Sequence, residues 1–98
     1  MPARIVVAHD DPEFRQCAVT ALEAAGDDVK AFASSMQAID ALETTEGIGL
    51  LITRVRFPER TPNGIALARM ARVKMRRIRV LFAAAMRTGS IPKATETF

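Results

Sequence analysis

The dipeptide His9-Asp10 is the first pair of side chains in the sequence whose types suggest chemistry. An imidazole beside a carboxylate is the arrangement of a general-base dyad. The pair ends a β-branched run over residues 4–9, however, and adjacent residues of a strand point to opposite faces. No Ser or Cys is placed to serve as the nucleophile. His9 therefore keeps two interpretations: a pH-sensitive group at a pocket rim, or a hydrogen-bonded structural residue.

Arg54 is the second candidate, because it ends the nearly continuous apolar run 48–53. A guanidinium is always charged and can bind a carboxylate through two parallel hydrogen bonds. Two arrangements stay open: a bidentate pair with Asp10, or a side chain that bends into solvent. The sequence contains no Gly-rich phosphate loop, metal-ligand spacing or nucleophile–base pair. We therefore expect a binding or signalling module with no cofactor, and not an enzyme.

Alternating strand and helix signals position these residues. Apolar runs predict strands over residues 4–9, 29–33, 48–53 and 78–84, and helices follow Asp11-Pro12, Ser34 or Ser35, and Gly64. Short connections of this kind predict a parallel sheet with right-handed crossovers and helices on both faces. Ligands of such sheets gather at the carboxyl ends of the strands, which here are His9 and Asp10, Arg54, and Ala84.

The first helix has the clearest signals. Asp11 is the expected N-cap and Pro12 the first helical residue, where its missing N–H costs nothing. An apolar stripe then recurs at helical spacing until Gly26 ends the helix; its members are Phe14, Cys17, Ala18, Ala21, Leu22 and Ala25. Since Cys17 lies on this stripe, we expect it to be buried.

Composition indicates one small globular domain over residues 1–98, with 49% hydrophobic and 26% charged residues. A single cysteine favours a reducing compartment. The chain shows no signal-peptide pattern and no apolar stretch near the ~18 residues that cross a bilayer. We therefore expect a cytoplasmic protein.

Charge is distributed unevenly along the chain. Residues 1–53 carry three basic and nine acidic side chains, and residues 54–98 carry eleven basic and two acidic ones, which together give the net charge of +3. The basic half suggests an anionic partner, nucleic acid included; its main cluster is Arg69, Arg72, Lys74, Arg76, Arg77 and Arg79. The alternative is a solvated helix face with attraction between the two halves.

Three segments together resemble receiver domains of bacterial two-component response regulators. They are IVVAHDDPEFR (residues 5–15), LLITRVRFP (50–58) and NGIALA (63–68), and the likeness covers about residues 4–85. It implies a flavodoxin-like, doubly wound parallel sheet of order 2-1-3-4, whose fifth strand is missing or vestigial. Residues 86–98 form an atypical tail, in which residues 91–93 stand as the vestigial strand.

The resemblance also locates a degenerate phosphoacceptor pocket. The family's acid pair corresponds to His9 and Asp10, its phosphorylated aspartate to Arg54, its switch hydroxyl to Ala84, and its conserved lysine to Lys93. Because a receiver holds Mg²⁺ with carboxylate oxygens, these replacements imply that the chain binds no metal and accepts no phosphoryl group.

The resemblance thus implies a pseudo-receiver that acts through protein–protein contacts in a signalling pathway. The alternative is a nucleic-acid-associated regulator that uses the basic half. Without a fifth strand, the apolar fourth strand would be an open edge, so self-association through that edge is a further expectation.

Overall fold

Four parallel strands and three helices form the body of the chain. The computed structural model describes residues 3–58 and 60–83, together with the backbone of a final strand at 94–97. The strands are β1 (Arg4–Ala8), β2 (Asp28–Phe32), β3 (Leu50–Thr53), β4 (Arg79–Ala83) and β5 (Ala94–Thr97). The helices are α1 (Pro12–Ala24), α2 (Ser35–Thr44) and α3 (Gly64–Lys74).

The sheet has the order β2-β1-β3-β4-β5. β1 is paired in parallel with both β2 and β3, and β3 is paired in parallel with β4. The predicted parallel order 2-1-3-4 is therefore confirmed. The register places Ala8 beside Thr53, so β1 and β3 reach the same edge of the sheet together.

The last strand differs from the expectation of an open edge at β4. β5 is four residues long and runs antiparallel along β4, with a register irregularity between Phe82 and Ala83. β4 is therefore not the edge of the sheet, and its backbone is paired. The expected self-association through an unpaired fourth strand loses its physical basis, because β5 already occupies that edge.

Alternate residues of the strands divide the core into two layers, because successive side chains point to opposite faces. On one face, α2 and α3 cover Val6, Leu51, Val80 and Phe82, which are at most 2% exposed. On the other face, α1 packs through Phe14 against the cluster of Ile5, Val7, Ile52 and Ala83. Among the described residues, one face therefore has two helices and the other has one.

Side-chain caps start all three helices. Asp11 accepts a hydrogen bond from the amide of Glu13, as expected of the N-cap before Pro12. Ser34, and not Ser35, caps α2 by accepting from Gln37, while Asn63 caps α3. Ser35 is instead 1% exposed and faces the core.

The expectation that Cys17 is buried is wrong. Its thiol is exposed, and so are Ala21 and Ala25 on the same stripe of α1. Only Phe14 on this stripe is fully buried. The apolar stripe is therefore wider than the part of α1 that packs against the sheet in the described structure. No helix in the described part of the chain is long and apolar enough to cross a membrane.

Gly64 permits the tight contact between the start of α3 and the end of β3. Its amide donates to the carbonyl of Val55 at 2.8 Å. A Cβ atom at this position would overlap the backbone carbonyl of Arg54. The glycine is therefore required by close packing of backbone on backbone.

We expect Gly64→Ala to lower the free energy of unfolding by about 2–3 kcal/mol, because the overlapping atoms belong to backbone that cannot rotate away. Urea denaturation followed by circular dichroism measures this change. Gly49→Ala is the matched control, since a Cβ there meets nothing within 4 Å. Equal stabilities of the two variants would contradict the packing argument.

Lys74 closes the carboxyl end of α2 from the neighbouring helix. Its ammonium group donates to the carbonyls of Leu42, Glu43 and Thr45 at 2.5–3.4 Å and lies 3.4 Å from the Glu46 carboxylate. Carbonyls in the last turn of a helix have no hydrogen-bond donor within the helix itself. A cation at this end also interacts favourably with the helix dipole.

Lys74→Met should therefore destabilise the fold by about 1–2 kcal/mol, because it leaves three carbonyls, that of Leu42 at a partly buried bond, without a charged donor. Arg77→Met removes an exposed charge nearby, where no hydrogen bond or ion pair is described, and should change stability by less than about 0.5 kcal/mol. Thermal unfolding of both variants checks the difference. Indistinguishable midpoints would show that Lys74 does not act as a cap.

Candidate functional site

The parallel pairing of β1 with β3 brings Asp10 and Arg54 together. The amide of Arg54 donates to the carbonyl of Ala8 at 3.0 Å, which continues the ladder one residue past β3. Beyond this bond, Nη1 of Arg54 lies 2.6 Å from Oδ1 of Asp10. Of the two arrangements left open by the sequence, the ion pair is the one formed. The contact described between them joins one nitrogen to one oxygen, so the ion pair is not bidentate.

The electrostatics of Asp10 follow from this pairing. Partial burial works to raise the pKa of Asp10, but the hydrogen bond and the positive charge of Arg54 outweigh it. The pKa of Asp10 therefore lies below its ordinary value, and the carboxylate is ionised at neutral pH. Both side chains remain partly exposed, at 39% for Asp10 and 33% for Arg54, so solvent weakens the attraction.

His9 is a buried structural residue and not a group at the pocket rim. Its side chain is 0% exposed, and its ring stacks on Phe14 with centroids 4.1 Å apart. Nδ1 accepts a hydrogen bond from the amide of Asp11 at 3.1 Å, so this nitrogen carries no proton. Nδ1 of His9 lies 3.8 Å from Oδ1 of Asp10. In this tautomer that contact is no ion pair, and the dyad interpretation fails.

Arg15 is a member of the site that the sequence did not predict. Its Nη1 donates to the backbone carbonyl of His9 at 2.9 Å, across the first turn of α1. The bond fixes the connection between β1 and α1, on which Asp10 lies. The only signal was its spacing of four residues after the N-cap Asp11, which places it on the first turn without indicating what it contacts.

The residues at this edge do not fit a divalent metal ion. Mg²⁺ needs several oxygen ligands in near-octahedral geometry, whereas this edge offers the carboxylate of Asp10, already bound to a fixed positive charge. The described part of the chain contains no group of three His, Cys, Asp or Glu side chains able to hold a metal. Two predicted pocket residues, Ala84 and Lys93, and the proposed strand at 91–93 lie outside the described residues.

The described basic residues of the second half are not all grouped on one side of the sheet. Lys74 is bound to the carbonyls at the end of α2, while Arg79 lies on the face of the sheet opposite α3. Arg69, Arg76 and Arg77 are exposed. Binding of nucleic acid therefore stays a prediction, and one that the arrangement of these charges does not favour.

Comparison with known proteins defines the class. Neither a protein-family model nor a curated protein matches the sequence. Solved structures do match: the receiver domain of the hybrid histidine kinase CckA shares 30% identity and a TM-score of 0.72 over 82% of this chain and 73% of its own. The chain therefore belongs to the receiver-domain family of response regulators, which are signalling modules.

Two further solved structures share this fold. A response regulator receiver protein from Pseudomonas putida is 25% identical, with a TM-score of 0.63, and the match covers 78% of this chain and 61% of that one. The MaeR response regulator, solved with beryllium trifluoride, is 22% identical with a TM-score of 0.68 over 89% of this chain and 71% of its own. The MaeR likeness shows the fold alone. This chain spans less than two thirds of the Pseudomonas protein.

The lowered pKa of Asp10 predicts how stability depends on pH. A carboxyl whose pKa is depressed by folding stabilises the protein above its unfolded pKa and loses that contribution as pH falls through the folded pKa. Because the pair is partly exposed, we expect it to contribute only about 0.5–1 kcal/mol.

Arg54→Met should therefore be less stable than the wild type at pH 7, and the gap should close in acid as Asp10 becomes protonated. Denaturant titrations at pH 7 and in acid measure the difference in stability between the variant and the wild type. Carboxyl NMR should show that the pKa of Asp10 is higher in the variant. Arg56→Met, which removes an exposed charge from the same loop, should leave that pKa unchanged. An unchanged pKa in Arg54→Met would refute the pairing.

Proposed function

We propose that this chain is a pseudo-receiver, which works in signalling through contacts with other proteins and accepts no phosphoryl group. The proposal rests chiefly on one observation: Arg54, which the resemblance matches to the family's phosphoacceptor, is bound to Asp10 at 2.6 Å. Of the described residues that the resemblance assigns to the phosphoacceptor pocket, Asp10 and Arg54 form the ion pair and His9 is buried.

The chemistry of phosphoryl transfer supports this interpretation. Transfer to an aspartate requires a free carboxylate as nucleophile and a metal ion that neutralises the charge developing on the phosphoryl oxygens. Arg54 offers no lone pair to attack phosphorus. Asp10 is a weak substitute for the nucleophile, since one of its oxygens is held by the guanidinium and its pKa is lowered by the same contact. Asp10 and Arg54 therefore form an ion pair and do not supply the groups that phosphoryl transfer requires.

The same contacts favour a fixed conformation over a switch. Arg54 links the loop after β3 to the loop after β1, and Arg15 holds the backbone of His9 from α1. The stacked ring of His9 and its bond to Asp11 add two further restraints at this corner. A corner held by side chains of the chain itself needs no ligand to order it, which suits a module that presents one constant surface to its partners.

Phosphorylation can be tested directly on the intact chain. Incubation with acetyl phosphate and Mg²⁺ should leave the protein mass unchanged, because no described carboxylate combines a free oxygen with a metal site at this edge. Gain of one phosphoryl group that is labile to hydroxylamine, as an acyl phosphate is, would refute the proposal.

Beryllium trifluoride with Mg²⁺ gives an independent test without covalent chemistry. We expect no change in the backbone amide NMR signals of Asp10, Arg54 and Gly64. MaeR, whose solved structure contains beryllium trifluoride, is the positive control for the reagent. Saturable shifts at these three residues would show that the pocket still binds a phosphoryl mimic.

A further inference from the structure

The solvent-facing sides of α2 and α3 carry opposite charges. The two helices pack side by side over the same face of the sheet. The exposed carboxylates Asp40 and Glu43 lie on α2, whereas Arg69 is exposed on α3 and Arg76 and Arg77 follow that helix. Within the described part of the chain, none of these five side chains takes part in an ion pair. Their charges are therefore available to another molecule.

One row of exposed residues runs along the outer side of α2. Residues four positions apart lie on the same side of a helix. Met36, Asp40 and Thr44 have this spacing, and all three are exposed, Met36 at 57%. The residues that α2 turns to the core, Ala38, Ala41 and Leu42, belong to other positions of the helix. The outer row is therefore apolar at its amino end and acidic in the middle.

A row of the same spacing runs along the outer side of α3. It consists of Ile65, Arg69 and Val73, of which Ile65 is 37% and Val73 85% exposed. This row is apolar at both ends and basic in the middle. The rows of α2 and α3 therefore match in spacing and differ in the sign of their central charge.

The two rows also lie at the same levels along their helices. Both helices follow strands of one parallel sheet, so they run in the same direction. Met36 and Ile65 are the second residues of their helices. Asp40 and Arg69 are the sixth. At the other end, Lys74 of α3 donates to the carbonyls at the end of α2, so the helices also end at one level.

We propose that the outer surface of α2 and α3 is a self-association site, on which a second copy of this chain binds as a two-fold dimer. A two-fold axis parallel to the helices and midway between them places α2 of each copy on α3 of the other. This rotation keeps every residue at its level, so Asp40 of each copy lies opposite Arg69 of the other. Met36 and Ile65 meet in the same way. Because both copies use the same patch, the assembly closes at two chains.

A second copy suits this surface better than a nucleic acid does. A polyanion that contacted Arg69 would also approach Asp40 and Glu43 on the adjacent helix, and like charges repel. A copy of this chain offers an acidic row to the basic row and a basic row to the acidic one. Each attraction therefore occurs twice, and the contact also removes the apolar side chains of Met36 and Ile65 from water.

The inference goes beyond the proposed function and does not rest on it. Sedimentation equilibrium of the intact chain measures the dissociation constant of the dimer. At about 0.01 M salt, where the screening length is about 30 Å, the wild type should dimerise. At about 1 M salt, where that length is about 3 Å, the dimer should be weaker, since the central pairs are charged.

Asp40→Arg and Arg69→Asp should each weaken the dimer at least about tenfold at low salt, because each substitution opposes like charges at both symmetric contacts. Both positions are exposed and without an ion pair in the described structure, so the fold should be retained, and circular dichroism checks this. Glu23→Arg on α1 and Arg79→Glu on the opposite face of the sheet are the matched controls. They make the same changes of charge and should leave the dissociation constant unchanged.

Mixing the two weakened variants gives the sharpest test. In a mixture of Asp40→Arg with Arg69→Asp, the introduced arginine meets the introduced aspartate, and the native Arg69 of one chain meets the native Asp40 of the other. A heterodimer should therefore form about as tightly as the wild-type dimer. The double variant Asp40→Arg/Arg69→Asp should dimerise on its own for the same reason. Concentration-dependent amide NMR shifts should centre on the outer rows of α2 and α3.

Four outcomes would overturn the inference. They are a wild type that stays monomeric up to about 1 mM, the weak end of specific affinities, a dimer that neither single substitution weakens, a mixture that does not dimerise, and growth beyond two chains. Duplex DNA that binds a monomeric chain through Arg69 would assign the surface to nucleic acid instead. A chain that gained a phosphoryl group and still dimerised would refute the pseudo-receiver and leave this inference intact.

Discussion

Parallel pairing of β1 with β3 is the constraint on which the site depends. Hydrogen-bonded neighbours in a parallel sheet end at the same edge, so the residues that follow them are placed side by side whatever their chemistry. Here the ladder continues through the bond from Arg54 to Ala8. The side chains just beyond this bond, Asp10 and Arg54, therefore lie close together. Because their charges are opposite, they form an ion pair.

The ion pair changes what this corner of the sheet can do. An edge with several carboxylates repels itself until a metal ion neutralises it, which makes the corner responsive to ligands. An edge with one carboxylate and one guanidinium is neutral without a ligand. The close approach of Gly64 to the backbone of Arg54 and the bond from Arg15 to His9 then hold both flanking loops in one arrangement.

The two faces of the sheet differ in a way that the ion pair does not control. On one face, α2 and α3 pack together, and Lys74 ties the end of one helix to the other. On the opposite face α1 stands alone among the described residues and leaves part of its apolar flank exposed. Among the described residues, the two faces of the sheet therefore differ in how many helices cover them.

The sequence by itself determined the local elements and their order. Strand-length apolar runs, the Asp11-Pro12 helix start and the Asn63-Gly64 helix start depend on neighbours in the chain, because caps and periodicity are local properties. The alternation of those elements indicated a parallel sheet, and the likeness to receiver domains, which rests on three short segments, implied the order 2-1-3-4. Even Arg54 as the residue at the end of β3 was evident from its position after an apolar run.

Only the tertiary structure decided how these elements meet. Whether Arg54 contacts Asp10 depends on strand register across 44 residues of separation. Burial of His9 depends on the ring of Phe14 above it, and exposure of Cys17 depends on which part of the α1 stripe reaches the sheet. β5 pairs antiparallel with β4, a direction that no local pattern specifies. Each outcome depends on contacts between residues that are distant in the sequence. The periodicity of a helix or strand identifies its apolar face, but it does not show which element packs against that face.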